Sequence, residues 1–139
     1  MDIRQLLRSI AQKYRSKTHV AAIIPLIYLF CKRNRGNSVH LTVRKLTTYI
    51  LGKCSCPEAQ PNIKARLNYV LSSLANLAKK RGVEDALTIF ESNRLVYVWD
   101  REKLLQFLLR EFPELEEFDK LFETDLASTV ASLCEEVCK

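Results

Sequence analysis

A chain of 139 residues suits one domain with a sizeable core, and its 47% hydrophobic and 27% charged residues exclude both disorder and a fibre. Three glycines and four prolines exclude an all-β sandwich, which needs turn signals every ~8–12 residues, and the longest apolar run, Val20 to Cys31, falls short of the ~20 residues of a membrane helix. The formal charge of +6 is steeply divided: residues 1–82 carry 16 Lys+Arg against Asp2 and Glu58 (+14), while residues 83–139 carry six against 14 acids (−8), a pattern that points to a polyanionic partner.

Asp2 to Arg15 sets Ile3, Leu6, Leu7, Ile10 and Tyr14 at helical spacing, which predicts a first amphipathic helix. Charges spread through this stretch leave no hydrophobic leader, so the expected location is cytoplasmic and nucleoid-associated, with no membrane contact. Thr18 is the expected N-cap of a nearly all-apolar helix, Val20 to Lys32, kinked by Pro25. Ser38 to Leu41 reads as a short extended piece, and Thr42 as the cap of a helix from Val43 to Leu51 closed by Gly52. Lys53 to Pro61 is a loop. Asn62 then caps a long helix, Ile63 to Arg81, whose apolar positions keep one face and which ends at Gly82. Ala86 to Trp99 changes to a β-branched and aromatic pattern around Glu91-Ser92-Asn93-Arg94, a β-hairpin signal. A two-residue turn at Ser92-Asn93 sets Phe90 opposite Leu95 and Ile89 opposite Val96. Asp100 caps a helix from Arg101 to Phe112, and Pro113 precedes an acidic amphipathic helix from Glu114 to Lys139. The expected class is mostly α with a small β-hairpin.

From Val20 to about Phe112 this order of elements resembles the winged helix-turn-helix superfamily, with Ile63 to Arg81 as recognition helix and Glu91 to Arg94 as wing tip. One departure is the Lys53 to Pro61 loop, longer than the three- or four-residue turn of a simple helix-turn-helix. The chain then divides into an N-terminal helix (1–17), a winged helix-turn-helix domain (18–112) and an acidic C-terminal helix (113–139). The resemblance implies a recognition helix in the major groove and a wing on a neighbouring groove or phosphates. At about 100° per residue, the side of that helix away from its apolar stripe holds Ala65, Asn68, Tyr69, Ser72, Asn76 and Lys79, flanked by Lys64 and Arg66. Asn can bond adenine bidentately and Ala or Tyr can meet thymine methyl or sugar, a vocabulary for base readout without an acid in it. Arg44, Lys45, Lys53 and Arg94 are the expected phosphate contacts. The expected function is duplex DNA binding by a transcription regulator or chromosome-associated protein. The alternative is a winged-helix protein-interaction module whose basic face meets an acidic protein. Duplex is preferred to single strand because no exposed aromatic platform is expected on the hairpin, Tyr97 and Trp99 being assigned to the core.

Cys54 and Cys56 in the loop, with Cys134 and Cys138 one helical turn apart, leave three readings open: free thiols, a disulfide from the loop to Cys134 or Cys138 or between chains, and a zinc site. Cys31 reads as a core residue. His19 and His40 lack a motif companion and no phosphate-binding loop is present, so neither catalysis nor a cofactor is expected, and no effector is indicated. The apolar stripe Leu115, Phe118, Leu121, Phe122, Leu126, Val130, Leu133 and Val137 needs a cover. Either the N-terminal helix supplies it, or a homodimer does, with recognition helices about 34 Å apart.

Overall fold

The computed structural model describes residues 2–56 and 60–139. Helix α1 (Ile3–Tyr14) opens with a capping box, the Asp2 carboxylate accepting from the Gln5 N–H at 2.8 Å and the Gln5 side chain from the Asp2 N–H at 3.2 Å. It closes on Arg15 in the left-handed conformation (φ 51°), the Arg15 and Ser16 N–H groups bonding back to the Gln12 and Ala11 carbonyls. The expected kinked helix is two pieces, α2 (Thr18–Ala21) and α3 (Ile23–Arg33), meeting at Ala22. The cause is Pro25, which has no N–H to give the Ala21 carbonyl. Thr18 is not the cap: Lys17 holds that position, and the Thr18 hydroxyl donates to Glu136 at 3.1 Å. Every residue of α3 from Ile23 to Leu29 is buried, with later helices packed around it.

Thr42 does cap α4 (Val43–Lys53), accepting the Lys45 N–H at 3.0 Å. Gly52 does not end that helix; it lies inside it, and the chain leaves at Cys54 with extended backbone. Helix α5 (Gln60–Lys80) begins before the expected Asn62 cap, with Pro61 in its first turn, where a missing N–H costs nothing. Pro57 and Glu58, within the predicted loop, lie outside the described residues. At the other end Gly82 (φ 73°) provides the left-handed stop, bonding back to Lys79 while Val83 bonds to Ala78.

A 3-10 turn at Glu84–Ala86 leads into β2 (Leu87–Glu91) and β3 (Leu95–Asp100), and β1 (Ser38–Leu41) pairs with β3 on its other side. The expected hairpin is therefore the larger part of a three-stranded antiparallel sheet, in the order β1-β3-β2. Its register differs by one from the two-residue-turn expectation: Glu91 faces Leu95, Phe90 faces Val96 and Ile89 faces Tyr97. The tip is three residues, Ser92 to Arg94, because β1 fixes which face of β3 is inward. Val39 lies opposite Trp99 and Leu41 opposite Tyr97, all four buried.

Asp100 caps α6 (Arg101–Glu111), accepting the Lys103 N–H at 2.9 Å. The acidic segment is two helices, α7 (Glu114–Thr124) and α8 (Leu126–Val137), broken at Asp125. Leu115, Phe118, Phe122, Leu133 and Val137 are buried against α1, α2 and α3 and join the same core as Leu6, Leu7 and Ile10. Five of the eight residues of the stripe are thus covered within the chain, and Leu121, Leu126 and Val130 are half-buried against the same core. The molecule is a mostly helical domain with a small three-stranded antiparallel sheet.

Candidate nucleic-acid interface

The start of α4, the first half of α5 and the hairpin tip meet around a cleft of about 460 Å³. Arg44 comes from the first turn of α4, Lys64 and Asn68 from successive turns of α5, and Arg94 from the three-residue tip. Four residues that sequence spacing alone proposed are brought together here, and no carboxylate is among the lining residues. Thr42, Val43 and Leu95 complete the wall. Leu95 was not legible as a lining residue, because the one-residue register difference decides where β3 begins. The first turn of α4 also turns the positive end of its dipole toward the cleft, a favourable setting for phosphate.

Along α5 the predicted outward face is outward: Ala65, Asn68, Ser72, Asn76 and Lys79 are exposed, with Tyr69 at 49%, while Ile63, Leu67, Val70, Leu71, Leu74 and Ala78 are buried beneath. Lys45 and Lys64 are exposed as well. Two of the expected contacts are placed elsewhere. Arg66 lies half-buried against the end of α8, donating to the Val137 carbonyl at 2.9 Å and the Lys139 carbonyl at 2.6 Å. It serves the negative end of that helix. Lys53 sits at the far end of α4, about 14 Å of helix from Arg44, with its ammonium over the Tyr49 ring at 5.6 Å.

The loop before α5 is held by the cysteines. Cys54–Cys134 and Cys56–Cys138 form two disulfides, with Cα separations of 5.2 and 5.3 Å, so that of the three open readings the structure takes the intrachain bridges to α8. Cys31 is the buried free thiol, its pKa pushed up to about 12 by burial, with Arg101 opposing. Among the described residues no group of His, Cys, Asp or Glu is arranged to hold a metal, and no helix is long and apolar enough to cross a membrane.

Three acids of the second half of the chain pair with cations of the first half away from the cleft. Lys13 meets Glu114 at 2.9 Å, Lys32 meets Asp119 at 3.1 Å and Arg81 meets Glu111 at 2.7 Å. Burial alone would raise the Glu114 pKa, but hydrogen bonds from Lys13 and Ser9 hold it below the ordinary carboxylate value. Arg44, Lys45, Lys64, Lys79 and Arg94 have no acidic partner among the described residues. Arg44, Lys64 and Arg94 thus meet at the cleft without a lining acid, while Arg8, Arg33, Arg35 and Arg110, exposed elsewhere, also have no acidic partner among the described residues. Against the expectation of a hairpin without exposed aromatics, Phe90 is 54% exposed, next to Ile89 at 44%. Comparison with protein-family models, curated proteins and solved structures finds no match, so what this face does is argued from its own residues.

Proposed function

We propose that the protein binds duplex DNA as a winged-helix domain, with α5 in the major groove and the tip at Ser92–Arg94 as the wing, acting in transcription regulation or chromosome organisation. The observation that carries this reading is the convergence of Arg44, Lys64, Asn68 and Arg94 on one cleft without a lining acid. Strand β1 supports it, because pairing with β3 ties the start of α4 to the hairpin and so holds helix and wing in one frame. Cations supply affinity and register; Asn68, Tyr69, Ser72 and Asn76 supply sequence preference.

The test is fluorescence anisotropy of the purified chain on a random duplex and on a single strand across a salt series. Five phosphate contacts, at roughly −0.9 each, give a slope of about −4 to −5 in log K against log salt for duplex. Tighter single-strand binding would replace the major-groove reading with stacking on Phe90 and Tyr69. Absence of binding at low salt would overturn DNA binding and favour the protein-interaction module, the reading that the exposed Ile89–Phe90 pair on edge strand β2 supports.

A further inference from the structure

A second cavity, of about 640 Å³, lies where the ends of α1, α5 and α6 meet, away from the wing cleft. Its size falls in the range of small-molecule sites. The Tyr14 ring stacks on Phe112 with centroids 5.3 Å apart, and Leu77 extends this apolar floor. The Tyr14 hydroxyl oxygen is buried and has no hydrogen-bond partner among the described residues. A buried phenol left without a partner is costly.

The rim adds charge. Lys13 and Arg81 line the cavity but are taken, by Glu114 and Glu111 respectively, and the second pair also neutralises the carboxylate that lines it. Arg15 and Lys80 line it too and have no acidic partner among the described residues. Arg15 is also the one non-glycine described residue at positive φ, 51°, a helix-ending position that favours glycine.

We propose that this cavity binds a small organic anion with an apolar ring body: the body on Tyr14, Leu77 and Phe112, its anionic head between Arg15 and Lys80. Burial, then Tyr69 and Glu111, push the Tyr14 pKa well above the ordinary phenol value, so this group stays a neutral donor at every physiological pH. The site shares Asn76 with the outward face of α5, and its test uses no DNA.

The probe is 8-anilinonaphthalene-1-sulfonate, titrated into the full-length folded chain by fluorescence and mapped by amide chemical shifts. Saturable binding is expected, with shifts gathered on residues 13–15, 73–81 and 111–112. Loss of one rim charge, in Arg15→Gly or Lys80→Ala, should weaken the probe about tenfold, whereas Lys120→Ala on α7 should leave it unchanged. The glycine variant also relieves the left-handed position, so its melting temperature should hold or rise while affinity falls, which separates lost binding from lost folding. The neutral twin, N-phenyl-1-naphthylamine, should bind at least tenfold more weakly. Shifts gathered elsewhere, unsaturable binding, or affinity unchanged from the parent chain in both rim variants would overturn the site; equal affinity of the neutral twin would overturn its anionic preference.

Discussion

Arg94 and Asn68 face the same cleft but answer to different physics. A guanidinium on a three-residue tip reaches phosphate, which carries no sequence information, so Arg94→Ala should weaken binding to all duplexes alike and lower the salt slope by about 1. A carboxamide one turn from Lys64 on the exposed side of α5 can pair with a base edge, so Asn68→Ala should reduce discrimination at one position by about 1–3 kcal/mol with a smaller effect on random duplex. Anisotropy on a random pool and on a selected site separates the two. Equal losses on both for Asn68→Ala would mean that this side of α5 does not enter the groove. Helical periodicity points to Asn68 and the β-hairpin pattern to Arg94, and both signals are local. The same periodicity misplaced Arg66, whose partners are carbonyls 71 and 73 positions away. No pattern near residue 66 carries that contact.

Elements show the same division between local and distant causes. The caps at Thr42 and Asp100 and the stop at Gly82 are short-range chemistry, and each is where its residue type put it. Strand β1 was visible as an extended piece but not as a strand, because its partner β3 lies about 60 residues on. The one-residue register difference followed, since the inward face of β3 is decided by Val39 and Leu41 rather than by the tip. The bridges Cys54–Cys134 and Cys56–Cys138, 80 and 82 positions apart, were only one of three open choices. They fix the end of α4, and with it the approach to α5, onto α8. Closing loops of that length gives each bridge roughly 4 kcal/mol on a chain-entropy account, with the second smaller once the first is made. Alkylation read by mass spectrometry checks the pairing: no cysteine should react in the native oxidised protein, one (Cys31) after denaturation without reductant, and all five after reduction. A native protein that accepts four labels would show free thiols. An intracellular location is compatible with both bridges only where the cytoplasm tolerates disulfides, as in hyperthermophiles.

At the scale of the whole molecule the expected segments do not separate. For residues 113–139 the sequence leaves open a cover from the N-terminal helix or from a second copy, and Leu115, Phe118, Phe122, Leu133 and Val137 are buried in the core that α1 and α3 share. Full burial of such side chains contributes about 1.5–3 kcal/mol each, so the five together amount to on the order of 10 kcal/mol, as much as the whole stability of a typical domain. The same helices bring the acids that hold Lys13 and Lys32, and both bridge partners of the loop before α5. Removing them would expose Leu7, Ile10 and much of α3, and would free cations behind the molecule that now have partners. A chain ending at residue 112 should therefore show no cooperative thermal transition by circular dichroism and should be cut rapidly throughout by protease, and its DNA binding should lose preference for sequence while keeping a steep dependence on salt. A sharp melt with protection of residues 18–112 would mean instead that the first 112 residues carry a core of their own, and that α7 and α8 are an addition to that fold rather than part of it.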